Sequence, residues 1–110
     1  MEVWWNEMMK WLDRYYQGER IQEPYKIRRK IEAGKAAPGI YLVTLSDNPH
    51  NLLEILPSVV LLQKSAMGFC PEIVGMARGK AEAMELVRQI VEETYQETGS
   101  FEIEEYIKNR

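Results

Sequence analysis

The chain has one cysteine, Cys70, and one histidine, His50, among 110 residues. A lone cysteine excludes an internal disulfide and fits a reducing compartment. One thiol, one imidazole and scattered carboxylates offer no ligand spacing, so no metal site and no cofactor are expected. Long apolar runs are missing too. The longest are four residues, as in Val59-Val-Leu-Leu62, against the roughly 20 a membrane span needs. The start, Met-Glu-Val-Trp-Trp, has neither a basic region nor an apolar stretch of signal length. The expectation is a cytoplasmic protein with no membrane partner. A net charge of −3 is too small to imply a nucleic-acid or membrane partner by itself.

What is present is a globular balance of 45% apolar and 28% charged residues, which can bury a core without disulfides at this length. Charge is uneven. Residues 1–40 hold eight Lys/Arg against six Asp/Glu, and residues 41–110 hold six against eleven. Two electrical halves can face each other within one fold or dock to a second copy.

Periodicity assigns the elements. Trp4, Met8, Trp11 and Tyr15 recur at helical spacing beside a second stripe of Trp5, Met9, Leu12 and Tyr16, which predicts an aromatic helix over 3–17 ended by Gly18. A short helix starts near Pro24, with Ile27 and Ile31 on its apolar edge and Gly34 as its stop. The turn Ala36-Ala-Pro-Gly39 divides an N-terminal helical arm, 1–37, from a small α/β domain, 38–110.

In that domain, Ile40–Leu45 and residues 72–78 read as buried strands. Between them, Ser46, Asp47 or Asn48 can cap a helix entered at Pro49 and carried by Leu52, Leu53 and Leu56. Pro57 interrupts it. Residues 58–63 are either a helix restarting at Pro57, the favoured choice, or another strand, and 64–71 are loop. Residues 80–98 form the clearest helix. Ala83, Val87, Ile90 and Thr94 share one face beside Met84, Val91 and Tyr95, and Glu82, Glu85, Glu92 and Glu93 lie mostly elsewhere. Thr98-Gly99-Ser100 ends it and caps a short acidic helix from Phe101 to Lys108.

The predicted fold is α/β (or α+β), a small βαβα core with a thin, mainly parallel sheet and a right-handed crossover. Two strands make too thin a sheet, so a further strand must come from 58–63 or from a second copy.

Chemistry-bearing patterns are few. Gly75-Met-Ala-Arg-Gly79-Lys80 sits at a strand-to-helix turn, but a phosphate loop needs four residues between its glycines and a Ser or Thr after the lysine. Here there are three, then Ala81. The milder expectation is an anion held by Arg78, Gly79 and Lys80, with Asn48 and His50 at the neighbouring turn. A Cys70–His50 dyad is disfavoured, because parallel strands put the two at opposite sheet ends, and no catalytic residue is assigned. The carboxylates of Glu102, Glu104 and Glu105 read as a solvated helix face. Lys26, Arg28, Arg29, Lys30 and Lys35 against Glu32 form a basic segment that can touch phosphates, though only Tyr25 is there to stack on a base. Three Trp and two Tyr in the first 16 residues suggest a partner surface built from Trp4, Trp5, Met8, Trp11, Leu12 and Tyr15.

The segments Tyr41-Leu-Val-Thr-Leu-Ser-Asp-Asn-Pro-His-Asn-Leu-Leu-Glu-Ile-Leu-Pro57 and Ile73-Val-Gly-Met-Ala-Arg-Gly-Lys80, with the helix through Tyr95-Gln-Glu-Thr-Gly99, resemble a family of short uncharacterised proteins of anaerobic Firmicutes. The likeness spans 38–108. It implies a bacterial cytoplasmic protein and carries over no catalytic residue. Taken together, these readings lead to a non-enzymatic interaction or accessory protein acting as a homo-oligomer, a dimer at its simplest. The alternative is a binder of an anionic small molecule or nucleotide at the strand-to-helix turns, with nucleic-acid contact through 26–35 as the weaker option.

Overall fold

The computed structural model describes residues 9–46, 52–69 and 71–110. They form one mixed sheet and four helices, an α+β arrangement. In chain order the elements are β1 (Lys10–Gln17), α1 (Pro24–Glu32), β2 (Ile40–Leu45), β3 (Leu53–Pro57), α2 (Ser58–Ala66), β4 (Glu72–Arg78), α3 (Lys80–Thr98) and α4 (Ile103–Asn109). The strand order is β1-β4-β2-β3. β1 runs parallel to β4, and β2 runs antiparallel to both β4 and β3. β3 and β4 are therefore parallel to each other, joined by α2 and separated by β2.

Side chains alternate across the sheet, so each strand feeds two cores. On one face, Ile31 of α1 and Leu61 and Leu62 of α2 pack on Ile40, Leu42, Leu56, Ile73 and Met76. On the other, Ala83, Leu86 and Ile90 of α3 and Ile103 and Ile107 of α4 pack on Leu12, Tyr16, Val43, Val74 and Ala77.

The predicted helix from Pro24, the strands at 40–45 and 72–78, the restart after Pro57 and the helix over 80–98 all match observed elements. Three expectations are corrected. Lys10–Gln17 is a strand, not part of an aromatic helix. Its apolar doublets fit either period, since Trp11-Leu12 and Tyr15-Tyr16 supply apolar side chains to both faces of a pleated strand. Leu53–Pro57 is also a strand, so the helix expected from Pro49 through Leu56 is not formed there. Pro57 already pushes Leu56 out of the helical region, and pairing with β2 then wins. Finally, β2 and β4 are antiparallel, so the predicted right-handed parallel crossover between them is not formed: β2 pairs with antiparallel β3, and α2 then joins β3 to β4. The sheet thus has four strands within one chain, and the shortage that called for a second copy disappears. The last helix begins at Ile103 rather than Phe101, with the Ser100 hydroxyl accepting from the Glu102 N–H at 3.3 Å. α2 runs to Ala66, into the expected loop.

β4 is irregularly paired with both of its neighbours. Its register shifts against β2 between Val43 and Thr44, and against β1 between Trp11 and Tyr16. Gly75 sits at this bulge. A Cβ there would lie 2.9 Å from the Leu86 Cδ2 of α3 and 3.4 Å from the Val43 Cβ.

The residues on both sides of the 36–39 turn share the one sheet. Ala37 is buried, and its N–H and C=O both bond the Ser58 hydroxyl, at 3.0 and 2.9 Å.

Candidate functional site

Three regions of the described surface have enough chemistry to be weighed. The first is the turn from β4 into α3, where Arg78, Gly79 and Lys80 were expected to hold an anion. Gly79 is the N-cap, with φ +88°, a region glycine adopts without strain, and its N–H donates to the Gly39 C=O at 2.8 Å. Arg78 and Lys80 are exposed. The turn already holds a carboxylate. Glu82 accepts from the Arg78 N–H at 2.8 Å and from the Arg20 N–H at 2.9 Å. It stands three residues after the cap, the position of a capping-box glutamate, which is the signal that sequence reasoning passed over. A Cβ at Gly18 would fall inside this carboxylate, so a larger residue where the chain leaves β1 would displace the Glu82 side chain. Glu82 pins the exit of β1 to the start of α3.

Two expected outcomes follow. Glu82→Ala should lower stability by about 1 kcal/mol, since both freed N–H groups are exposed and can turn to water; a thermal melt reads this. Inorganic phosphate should leave the wild-type melting temperature unchanged, because the Arg78 and Gly79 N–H groups are taken by Glu82 and Gly39 and the exposed Arg78 and Lys80 side chains alone make a weak, solvent-screened site.

Asn48 and His50, the other half of the expected anion site, lie outside the described residues, as do Asp47 and Cys70. The antiparallel pairing of β2 with β4 puts the C-terminal end of β2 at the opposite end of the sheet from Arg78. The two turns were expected to flank one site, and the strand directions separate them. The same finding removes the argument against a Cys70–His50 dyad, since the end of β2 and the start of β4 now share one end of the sheet.

The second region is a cleft of about 850 Å3 at that end, lined by Lys10, Ser46, Glu54, Lys64, Met67, Phe69, Glu72, Glu104 and Lys108 among others. Lys108 bridges Glu104 at 2.9 Å and Glu72 at 3.3 Å. Hydrogen bonding to Glu104 holds its ammonium above the ordinary lysine range. Lys64 lies 4.0 Å from Glu54, which also accepts from the Ser46 hydroxyl at 2.8 Å. The charges cancel largely within the cleft. Among the described residues there is no cluster of three or more His, Cys, Asp or Glu side chains able to hold a metal.

The third region is the flank of α3 above β3. Glu82 and Glu93 reach towards β1, to Arg20 and Tyr16 respectively. The opposite flank, Met84, Val87, Val91 and Tyr95, therefore overhangs the side of the sheet that holds β3. Tyr95 stacks on Phe101 with ring centroids 5.0 Å apart, and Phe101 and Leu52 line one depression. Met84, Tyr95, Phe101 and Leu52 are 57, 53, 52 and 47% exposed. Leu53 and Ile55 beneath them are only partly buried. Helix α3 packs chiefly on β4 and also meets β2 and β3, and it leaves Leu53 and Ile55 of the edge strand partly exposed. Arg88, beside this band, is neutralised by Glu85 and Glu92 on its own helix.

The remaining expected site residues are placed as follows. Trp4, Trp5 and Met8 lie outside the described residues. Leu12 is core, and Trp11 and Tyr15 are half-buried against the core on the α1–α2 face. Their rings lie under the Arg28 guanidinium, 4.8 and 5.7 Å from it, a cation–π arrangement. In the basic segment, Arg28 also pairs with Glu32 at 3.3 Å and Lys26 with Glu23 at 3.2 Å. Arg29 lies over Tyr25, and Lys30 is exposed. Three of the five basic residues of this segment, Lys26, Arg28 and Arg29, thus have partners within the fold.

No protein-family model, no curated protein and no solved structure matches this chain. The functional reading therefore rests on the site geometry. No described helix is long and apolar enough to cross a membrane.

Proposed function

We propose that this is a non-enzymatic interaction or accessory protein of the bacterial cytoplasm that acts as a homodimer, with the apolar band of α3 and β3 as its self-association surface. The observation that supports it is the continuity of the exposed apolar residues Met84, Tyr95, Phe101 and Leu52 with half-buried Leu53 and Ile55. Water-exposed apolar patches of this kind mark association surfaces in folded proteins. Aromatic and methionine side chains are also enriched in interface cores. The anion-binding alternative has less support, because a ligand at Arg78–Lys80 would first have to displace the Glu82 carboxylate.

Light scattering after size exclusion tests the reading. The wild type should be a dimer. Met84→Glu with Tyr95→Glu should be monomeric at the same concentration, with unchanged circular dichroism, since both side chains are more than half exposed. A wild type that stays monomeric at high concentration would overturn it.

A further inference from the structure

The two edges of the sheet are treated differently. At β1, Arg110 of the C-terminus donates to the Arg14 C=O and so occupies a backbone acceptor of the strand. β1 also carries Lys10, Asp13 and Arg14, charges of the kind that discourage strand addition. β3 reads Leu-Glu-Ile-Leu-Pro, and no described strand pairs with its outer side.

The hydrogen-bond phase of β3 follows from one bond. The Ser46 N–H donates to the Leu52 C=O at 3.4 Å. Hydrogen-bonded and non-bonded pairs alternate along an antiparallel ladder. The register pairs Thr44 with Glu54 and Leu42 with Leu56, so these are the bonded rungs to β2. Leu53, Ile55 and Pro57 then direct their backbone groups away from the sheet. The position of Pro57 agrees, since its missing N–H falls on the outward side and costs β2 no rung. The outer edge of the described strand thus offers two donors, the N–H groups of Leu53 and Ile55, and three carbonyls.

We infer that two copies of this chain join β3 to β3 antiparallel about a two-fold axis at Ile55, making one continuous eight-stranded sheet. The inference rests on the dimer reading above and specifies its partner and register. A two-fold at Ile55 pairs Ile55 with itself and Leu53 with Pro57. Both donors of each copy are then used, giving four hydrogen bonds. A two-fold at Glu54 would also use both donors, but it sets Glu54 directly against its own copy, and like charges opposite each other are unfavourable. A two-fold at Leu56 pairs Ile55 with Pro57 and leaves the Leu53 donor without a partner in β3. At Ile55, Glu54 faces Leu56 instead, and Ile55, Leu53 and Pro57 meet their counterparts on the face that α3 covers. The apolar layer then continues from one copy into the other beneath Val87 and Val91, and the overhanging Met84 and Tyr95 approach the partner.

Cysteine cross-linking in a Cys70→Ser background tests the register. Opposed residues of a bonded antiparallel pair have Cα atoms about 5.5 Å apart, within disulfide reach. Ile55→Cys should give an oxidised dimer. Leu53→Cys should not, because the two Leu53 positions are four residues out of register, roughly 13 Å. Ile55→Pro removes an outward donor while sparing the rungs to β2. It should weaken dimerisation at least about tenfold in sedimentation equilibrium, from two lost bonds per dimer. Cross-linking of Leu53→Cys but not Ile55→Cys, or a folded Ile55→Pro protein that dimerises like wild type, would overturn the β3 pairing while leaving a dimer through the α3 flank standing. A monomeric wild type would overturn both.

Discussion

Gly75→Val should be the most damaging single substitution considered, costing about 3 kcal/mol at the upper end of ordinary overpacking. At the β4 bulge a Cβ already lies 2.9 Å from Leu86 Cδ2 and 3.4 Å from the Val43 Cβ, and valine adds two methyls in the same space. Leu86 is 3% exposed and Val43 is fully buried, so neither can swing into solvent. For a domain of this size, a loss of 3 kcal/mol moves the melting temperature by roughly 12 °C or more. Gly75→Ala should cost less. Its cost should shrink when combined with Leu86→Val, because the shorter side chain withdraws the methyl it strikes. That departure from additivity is the measurement that assigns the effect to the clash. Additive costs would place its origin elsewhere.

The second large effect belongs to Glu93, which gathers three elements. Its Oε2 accepts from the Tyr16 hydroxyl of β1 at 2.6 Å and from the Tyr106 hydroxyl of α4 at 3.0 Å. The Arg110 guanidinium lies 3.7 Å from it and stacks over Tyr16 with 4.0 Å to the ring centroid. Glu93→Ala should cost about 2 kcal/mol, because it leaves the buried Tyr16 hydroxyl without an acceptor. Burial, and after it the hydrogen bond to Glu93, push the Tyr16 hydroxyl well above its ordinary value, with Arg110 pulling the other way. The folded chain therefore keeps this proton at a pH where the unfolded chain, titrating near 10, releases it. The stabilisation is complete below about pH 10 and declines above it, by up to about 1.4 kcal/mol per pH unit. Urea unfolding of wild type and Tyr16→Phe between pH 8.5 and 11 reads this directly: the difference between the two should narrow as the pH rises past 10. A difference that stays constant across that range would show that the hydroxyl does not titrate with folding.

Local signals determined the elements with strong boundaries. Pro24 and Gly34 bracket α1, Gly79 and Gly99 bracket α3, and the apolar runs 40–45 and 73–77 read as buried strands and are strands. The charge totals, the single cysteine and the short apolar runs were likewise readable from the chain alone. The tertiary structure decided what these segments do with one another. Trp11–Gln17 carries doublets compatible with a helix or a strand, and only the open edge of β4 selects the strand. Leu53–Pro57 has helical spacing, but the hairpin with β2 outweighs it. That hairpin reverses the chain, so it also sets the direction of β2 against β4 and moves the two suspected anion turns to opposite ends of the sheet. The role of Glu82 depends on Arg20, 62 residues away in sequence, and which flank of α3 stays exposed depends on how the helix lies across β4, β2 and β3. Propensity and capping act over a few residues and are written in the sequence; pairing partners and uncovered faces depend on which distant segments meet.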